Sequence, residues 1–133
     1  MQCIEQYAPF VARVLVGGYF LWAGIQKIFG FEGTTAFVEA LGLPLPMALA
    51  AIALLIEVGA GLALIIGFKV KWAALSLAAF VLVVNLIVHT NFSEGMQLTI
   101  FLKNIAIFGG LLYMAAYGAG RIAVDTNGAP HAI

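Results

Sequence analysis

Four stretches of this chain stay apolar for about twenty residues at a time, at positions 9–28, 47–67, 72–90 and 98–118. Crossing a hydrocarbon core of about 30 Å takes roughly 20 helical residues, so each stretch is long enough to span a bilayer. In lipid the backbone finds no water to bond, which leaves helices or a closed barrel. Barrel strands alternate in polarity over about ten residues. These runs are longer and apolar on most faces. The sequence therefore predicts an all-α fold, an integral membrane four-helix bundle, forming a single membrane domain over residues 1–133. Composition agrees: 9% of residues are charged, against about 25% in a soluble domain. The lipid bilayer has to cover what the chain cannot make polar.

The charge balance excludes other classes. Formal net charge is zero, so nothing points to nucleic acid as a partner. Cys3 is the single cysteine, which rules out an internal disulfide, a thiolate metal cluster and a CxxC redox pair. The first run does not read as a cleaved secretory signal. Arg13 interrupts it, and Lys27 follows where small residues would be needed.

Lys69 and Lys71 sit in the short turn between the second and third spans, and Arg121 follows the fourth on the same side. The excess of positive charge in cytoplasmic loops gives an N-in/C-in topology, with Lys27 and Lys103 assigned to the spans. On the opposite side, "FGFEGTTAFVEALGLPLP" joins the first two spans. Phe37 and Leu41 are spaced i, i+4, with Thr34 as a cap and Pro44 and Pro46 as stops. A short interfacial helix over the mouth of the bundle fits this spacing, as does a partly ordered loop. The tail at 125–133, with His131, is expected to be disordered.

The informative residues are the polar ones inside the spans. Glu57 stands near the middle of "IALLIEVGAGLALIIG", roughly 15 Å from either membrane face. At 100° per residue, Arg13, Gly17, Phe20, Gly24 and Lys27 share one stripe of the first span. Glu57 shares a face with Ala50, Ala53, Ala60 and Gly61, and Asn85 and His89 share one with Ala74 and Ala78. The fourth span aligns Thr99, Lys103, Gly110 and Tyr117, with Asn104 about 100° away. Small neighbours place all of these faces in the bundle interior. A charge at a helix centre costs about 2.5–3.5 kcal/mol on insertion scales, so these groups must pair or be hydrated. Two readings stand. Glu57 bridges Arg13 or Lys103 and fixes helix register, or Lys27, His89, Asn91, Lys103 and Asn104 border a polar cavity opening to the outer side.

The motif "RVLVGGYFLWAGIQK" has the form R-x3-G-x2-F-x3-G-x2-K. With "EVGAGLALIIGF", a His closing the third span and "FLKN" opening the fourth, it resembles the DoxX family of small bacterial four-helix inner-membrane proteins. The resemblance covers roughly residues 10–120. It maps recurrent polar and glycine positions onto Arg13, Gly17, Gly24, Lys27, Glu57, Gly61, Lys103 and Asn104. Ala60 departs from the Gly-Gly pair of many relatives, which bears on packing more than on chemistry. The resemblance implies a bacterial inner (plasma) membrane location and a link to quinone or quinol chemistry.

No electron carrier of the chain's own is expected: His89 is the one His at membrane depth, and there is no Gly-rich nucleotide motif. A bound quinone or a partner oxidoreductase, soluble or membrane-bound, would carry electrons. On this reading Phe20, Trp22, Leu54 or Phe101 supply apolar walls. Lys103, Asn104, Asn85, Arg13 and Lys27 form the cavity, and Glu57 and His89 relay protons, with no metal expected. The alternatives are a cofactor-free scaffold or accessory for a soluble oxidoreductase, and a small proton-coupled transporter acting as a homodimer. The topology has a direct check: a reporter active only in the periplasm, fused to the C-terminus, is expected to be inactive.

Overall fold

The computed structural model describes residues 2–124, so the tail expected to be disordered lies outside the described residues. The chain runs α1 (Gln2–Phe29), α2 (Phe31–Ala40), α3 (Pro46–Ile66), α4 (Val70–Val88) and α5 (Gly95–Tyr117). Helices α1, α3, α4 and α5 are long and apolar enough to cross a membrane. Helix α1 starts well before the apolar run, because Pro9 is carried inside the helix instead of opening it. A proline there forfeits one backbone bond. Helix α2 is the short helix between the first two spans, and none of its residues is fully buried.

Packing divides the bundle into two antiparallel pairs. Helix α1 lies on α3, α4 lies on α5, and the pairs meet along α3 and α4, while α2 rests mainly on α3. The core at that junction is built from Phe20, Leu64, Leu77, Val81 and Leu111, with the small Ala73, Ala74 and Ala78 letting α4 in close. Lipid is as apolar as leucine, so helix association here depends on close packing and not on escape from water. The outward faces are accordingly greasy: Leu15, Trp22, Leu55, Trp72, Leu102 and Tyr113 are all exposed. Helix α5 keeps one fully buried residue, Leu111.

Glycines set the distance between α1 and α3. A Cβ added at Gly17 would stand 2.6 Å from the Gly61 carbonyl oxygen, and one at Gly61 would stand 2.9 Å from the Gly17 carbonyl and the Leu21 nitrogen. A Cβ at Gly24 would meet Val58 at 2.6 Å and the Glu57 Cβ at 3.2 Å. Backbone thus touches backbone over two turns, and the register pairs residue 17 with 61 and residue 24 with 57 and 58.

The end of α3 shows where a buried cation goes. Helices leave their last carbonyls without internal partners. Gly67 closes α3 in the left-handed region (φ 81°), and the N–H groups of Gly67 and Phe68 both reach the Ala63 oxygen at 2.9 Å. Arg13, 1% exposed, donates to the Leu64 oxygen at 2.8 Å and the Ile65 oxygen at 3.3 Å. The Val124 N–H takes the Ile66 oxygen at 3.0 Å. The same guanidinium also donates to the Ile122 carbonyl, which fastens the segment after α5 beneath the first two spans.

The glycine seam makes a sharp prediction. Gly17→Leu or Gly61→Leu should lower the melting temperature in detergent by the equivalent of about 1–3 kcal/mol or more, as overpacked cores do. Gly109→Leu should leave it near wild type, since nothing lies within 4 Å of a Cβ at that site.

Candidate functional site

The register just described decides which cation reaches Glu57. Gly24 lies against Glu57, and Lys27 is three residues further along α1, about 4.5 Å higher by helical rise. Lys27 bridges that gap: its Nζ lies 2.7 Å from Glu57 Oε1. The glutamate side chain is 4% exposed and the lysine side chain 29%. One partner is therefore sealed in the protein while the other keeps a path to the surface.

A second polar cluster joins α4 to α5. Asn85, wholly buried, donates from Nδ2 to the Phe101 carbonyl at 3.2 Å, and its Oδ1 accepts Asn104 Nδ2 at 3.1 Å. One turn along α4, His89 Nδ1 lies 3.0 Å from Gln97 Oε1. Gln97 Nε2 in turn faces Glu94 Oε2 at 3.5 Å. Amides paired in this way orient one another, because each has to match donor to acceptor.

Both clusters border one cavity of about 960 Å³, which reaches residues of all five helices. Phe20, Ile56, Phe80, Val84 and Ile107 give it apolar walls, and Phe37, Val38 and Leu41 close over it from α2 and the turn that follows. Its charged and polar lining is Lys27, Thr34, Glu57, Ser76, His89 and Asn104, with half-exposed Tyr19. An apolar cleft of this size with a few convergent polar groups is the usual form of a small-molecule site.

The structure sorts the residues singled out in the sequence into three places. Glu57, Lys27, His89 and Asn104 line the cavity, with Asn85 directly behind Asn104. Arg13 is not brought there: it sits toward the other end of the bundle, held by the main-chain carbonyls at the end of α3. Lys103 is exposed on the flank of α5 and does not line the cavity, because the inward face of that helix carries Asn104, Ile107 and Leu111. Neither Arg13 nor Lys103 is therefore the partner of Glu57. Of the expected apolar walls, Phe20 is one, whereas Trp22 points outward and Leu54 and Phe101 lie off the cavity. Thr34, expected as a cap, lies a turn inside α2, whose N-cap is Gly30, and it lines the cavity. Ser76 and Gln97 were missed, a hydroxyl inside the apolar run of α4 being the one available signal. Among the described residues no group of three or more His, Cys, Asp or Glu side chains comes together to hold a metal.

Four helices long and apolar enough to cross a bilayer, around a largely apolar cleft with a few polar groups, define a multi-pass membrane protein. The chain belongs to the DoxX family, whose family model matches residues 8–90. It is 38% identical over 128 residues to inner membrane protein YqjF of Escherichia coli (strain K12), covering 94% of this chain and 95% of that one. It is 33% identical over 120 residues to inner membrane protein YphA of the same organism, covering 86% of each. No solved structure matches the chain. The spans and these relatives place it in the inner membrane.

The unequal burial of the ion pair predicts unequal costs. Removing one partner of a buried pair costs about 3–5 kcal/mol when the survivor is left charged and sealed. Lys27→Met strands the sealed Glu57 and should approach that loss, while Glu57→Gln leaves a lysine that reaches the surface and should cost clearly less. Unfolding of the two variants in mixed micelles compares them directly.

Proposed function

We propose that this chain is a membrane subunit that binds a quinone or quinol on behalf of an oxidoreductase or redox-stress system. The observation that carries the reading is the cavity of about 960 Å³, apolar over most of its wall, with Lys27–Glu57, His89 and Asn104 set into it. The residues fit such a ligand. Phe20, Phe37 and Phe80 offer surfaces for a ring, and the aliphatic residues of α3 and α4 accommodate a prenyl tail. Lys27 supplies a donor for a ring oxygen, and Glu57 and His89 are the groups able to take up or release protons beside it. A quinone contributes two-electron, two-proton chemistry when bound. The chain's own part is to orient the ring, keep lipid away from its oxygens and hold protons at Glu57 and His89. Electrons then come from, or pass to, a soluble or membrane oxidoreductase partner.

Solvent extraction of the purified protein, followed by mass spectrometry, tests this reading. Wild type is expected to carry a quinone or quinol that Glu57→Gln protein carries at least several-fold less of. Recovery of phospholipid alone from wild type would replace the reading with that of a ligand-free scaffold. Substrate flux through reconstituted vesicles, lost in Glu57→Gln, would replace it with a transporter.

A further inference from the structure

The hydrogen atoms around the cavity are unevenly distributed, and two chains of hydrogen bonds fix where they are. The first begins at the Phe101 carbonyl, which can only accept. It requires Asn85 to present its NH2 there and its Oδ1 to Asn104, so Asn104 spends an amide hydrogen on Asn85 and keeps Oδ1 without a partner among the described residues. The second begins at the Glu94 carboxylate, also an acceptor. It turns the Gln97 NH2 outward and its Oε1 toward His89. With Gln97 Oε1 facing it, a neutral His89 ring that pairs with Gln97 carries its hydrogen on Nδ1, which leaves Nε2 as an acceptor.

The hydroxyls follow the same pattern. Thr34 donates to the Gly30 carbonyl at 3.2 Å and Ser76 to the Trp72 carbonyl at 2.9 Å, each one turn back in its own helix. With the Glu57 carboxylate, five side chains on the cavity wall therefore present lone pairs. The remaining donors are the Lys27 ammonium, already engaged with Glu57, the second Asn104 amide hydrogen and the half-exposed Tyr19 hydroxyl.

We propose that the cavity selects ligands that donate hydrogen bonds, and so takes a ring in its dihydroxy form in preference to its dicarbonyl form. A hydroxyl both donates and accepts, so it satisfies the acceptors at His89 and Asn104 and also receives from Lys27. A carbonyl only accepts, and beside His89 Nε2 it would leave two lone pairs facing each other. Sites built around hydrogen-bonding groups reject analogues that leave those groups unpaired. Gln97 and Asn85 are the positioning residues: neither lines the cavity, yet they fix the polarity of His89 and Asn104, which do. This inference rests on the quinone or quinol reading and adds which redox form the protein prefers.

The test uses three ligands that share one ring and tail: a decyl-substituted benzohydroquinone, its benzoquinone, and the hydroquinone dimethyl ether, which has lost its donors. Binding to the full chain in nanodiscs is measured anaerobically by flow dialysis. The hydroquinone is expected to bind at least tenfold more tightly than either of the others. For a two-electron couple, that tenfold would raise the potential of the bound pair by about 30 mV. Gln97→Met frees the imidazole to move its hydrogen to Nε2 and should cut the preference several-fold, whereas Gln97→Glu keeps the acceptor and should retain it. The nitrogen-15 spectrum of neutral His89 should show the Nδ1–H tautomer in wild type, a reading that stands even if a variant fails to fold. Equal binding of the hydroquinone and its dimethyl ether, or an Nε2–H ring in wild type, overturns the donor preference alone. Binding of none of the three ligands overturns the quinone site as well.

Discussion

How closely α1 can lie on α3 controls the rest of this molecule. With Gly17 and Gly61 in mutual backbone contact, the two helices lock in a single antiparallel register. That register, and not simple charge attraction, brings Lys27 over Glu57. A side chain at Gly24 would push α1 off Val58 and carry the ammonium away from the carboxylate. Glycine is costly within a water-exposed helix. In lipid its missing side chain is what allows dispersion contact and an intramembrane ion pair to coexist.

Much of this was legible in the sequence. The spans follow from apolar length, and α2 from the spacing of Phe37 and Leu41 ahead of Pro44 and Pro46. The stripe of Arg13, Gly17, Phe20 and Gly24 is indeed the buried face of α1. The pairing of charges was not legible, for two physical reasons. Depth counted along separate helices ignores their stagger, so Glu57 was matched with Arg13 or Lys103 and not with Lys27. Arg13, in turn, has main-chain oxygens as partners, and a reading that matches cations to acidic side chains cannot see them. On α5, Lys103 and Asn104 lie about 100° apart on a helix that is apolar nearly all round, and only packing against α4 decides which faces in. The membrane orientation rests on the lysine and arginine bias alone.

The two polar clusters do different kinds of work. Lys27–Glu57 is a charge pair with one partly exposed end and one sealed end. Asn85–Asn104 and His89–Gln97 are two hydrogen-bonded pairs that tie α4 to α5. Among the described residues, α3–α4 contacts and the C-terminal segment connect the two helix pairs, since α2 rests on α3 and α1, and α1 and α5 make no backbone contact. The cavity thus sits where the bundle is held least tightly, and an occupant would bridge the halves.

The clamp at the foot of α3 has a consequence for how the chain is made. Arg13 enters the bilayer with the first span, but its Ile122 acceptor is 109 residues further on. The Leu64 and Ile65 acceptors arrive only with the second span. Until the second span arrives the guanidinium has none of these acceptors, and it lacks the third until the chain is nearly complete. The order of insertion and the order of completion therefore run opposite ways: the first helix to enter the membrane is the last to be finished.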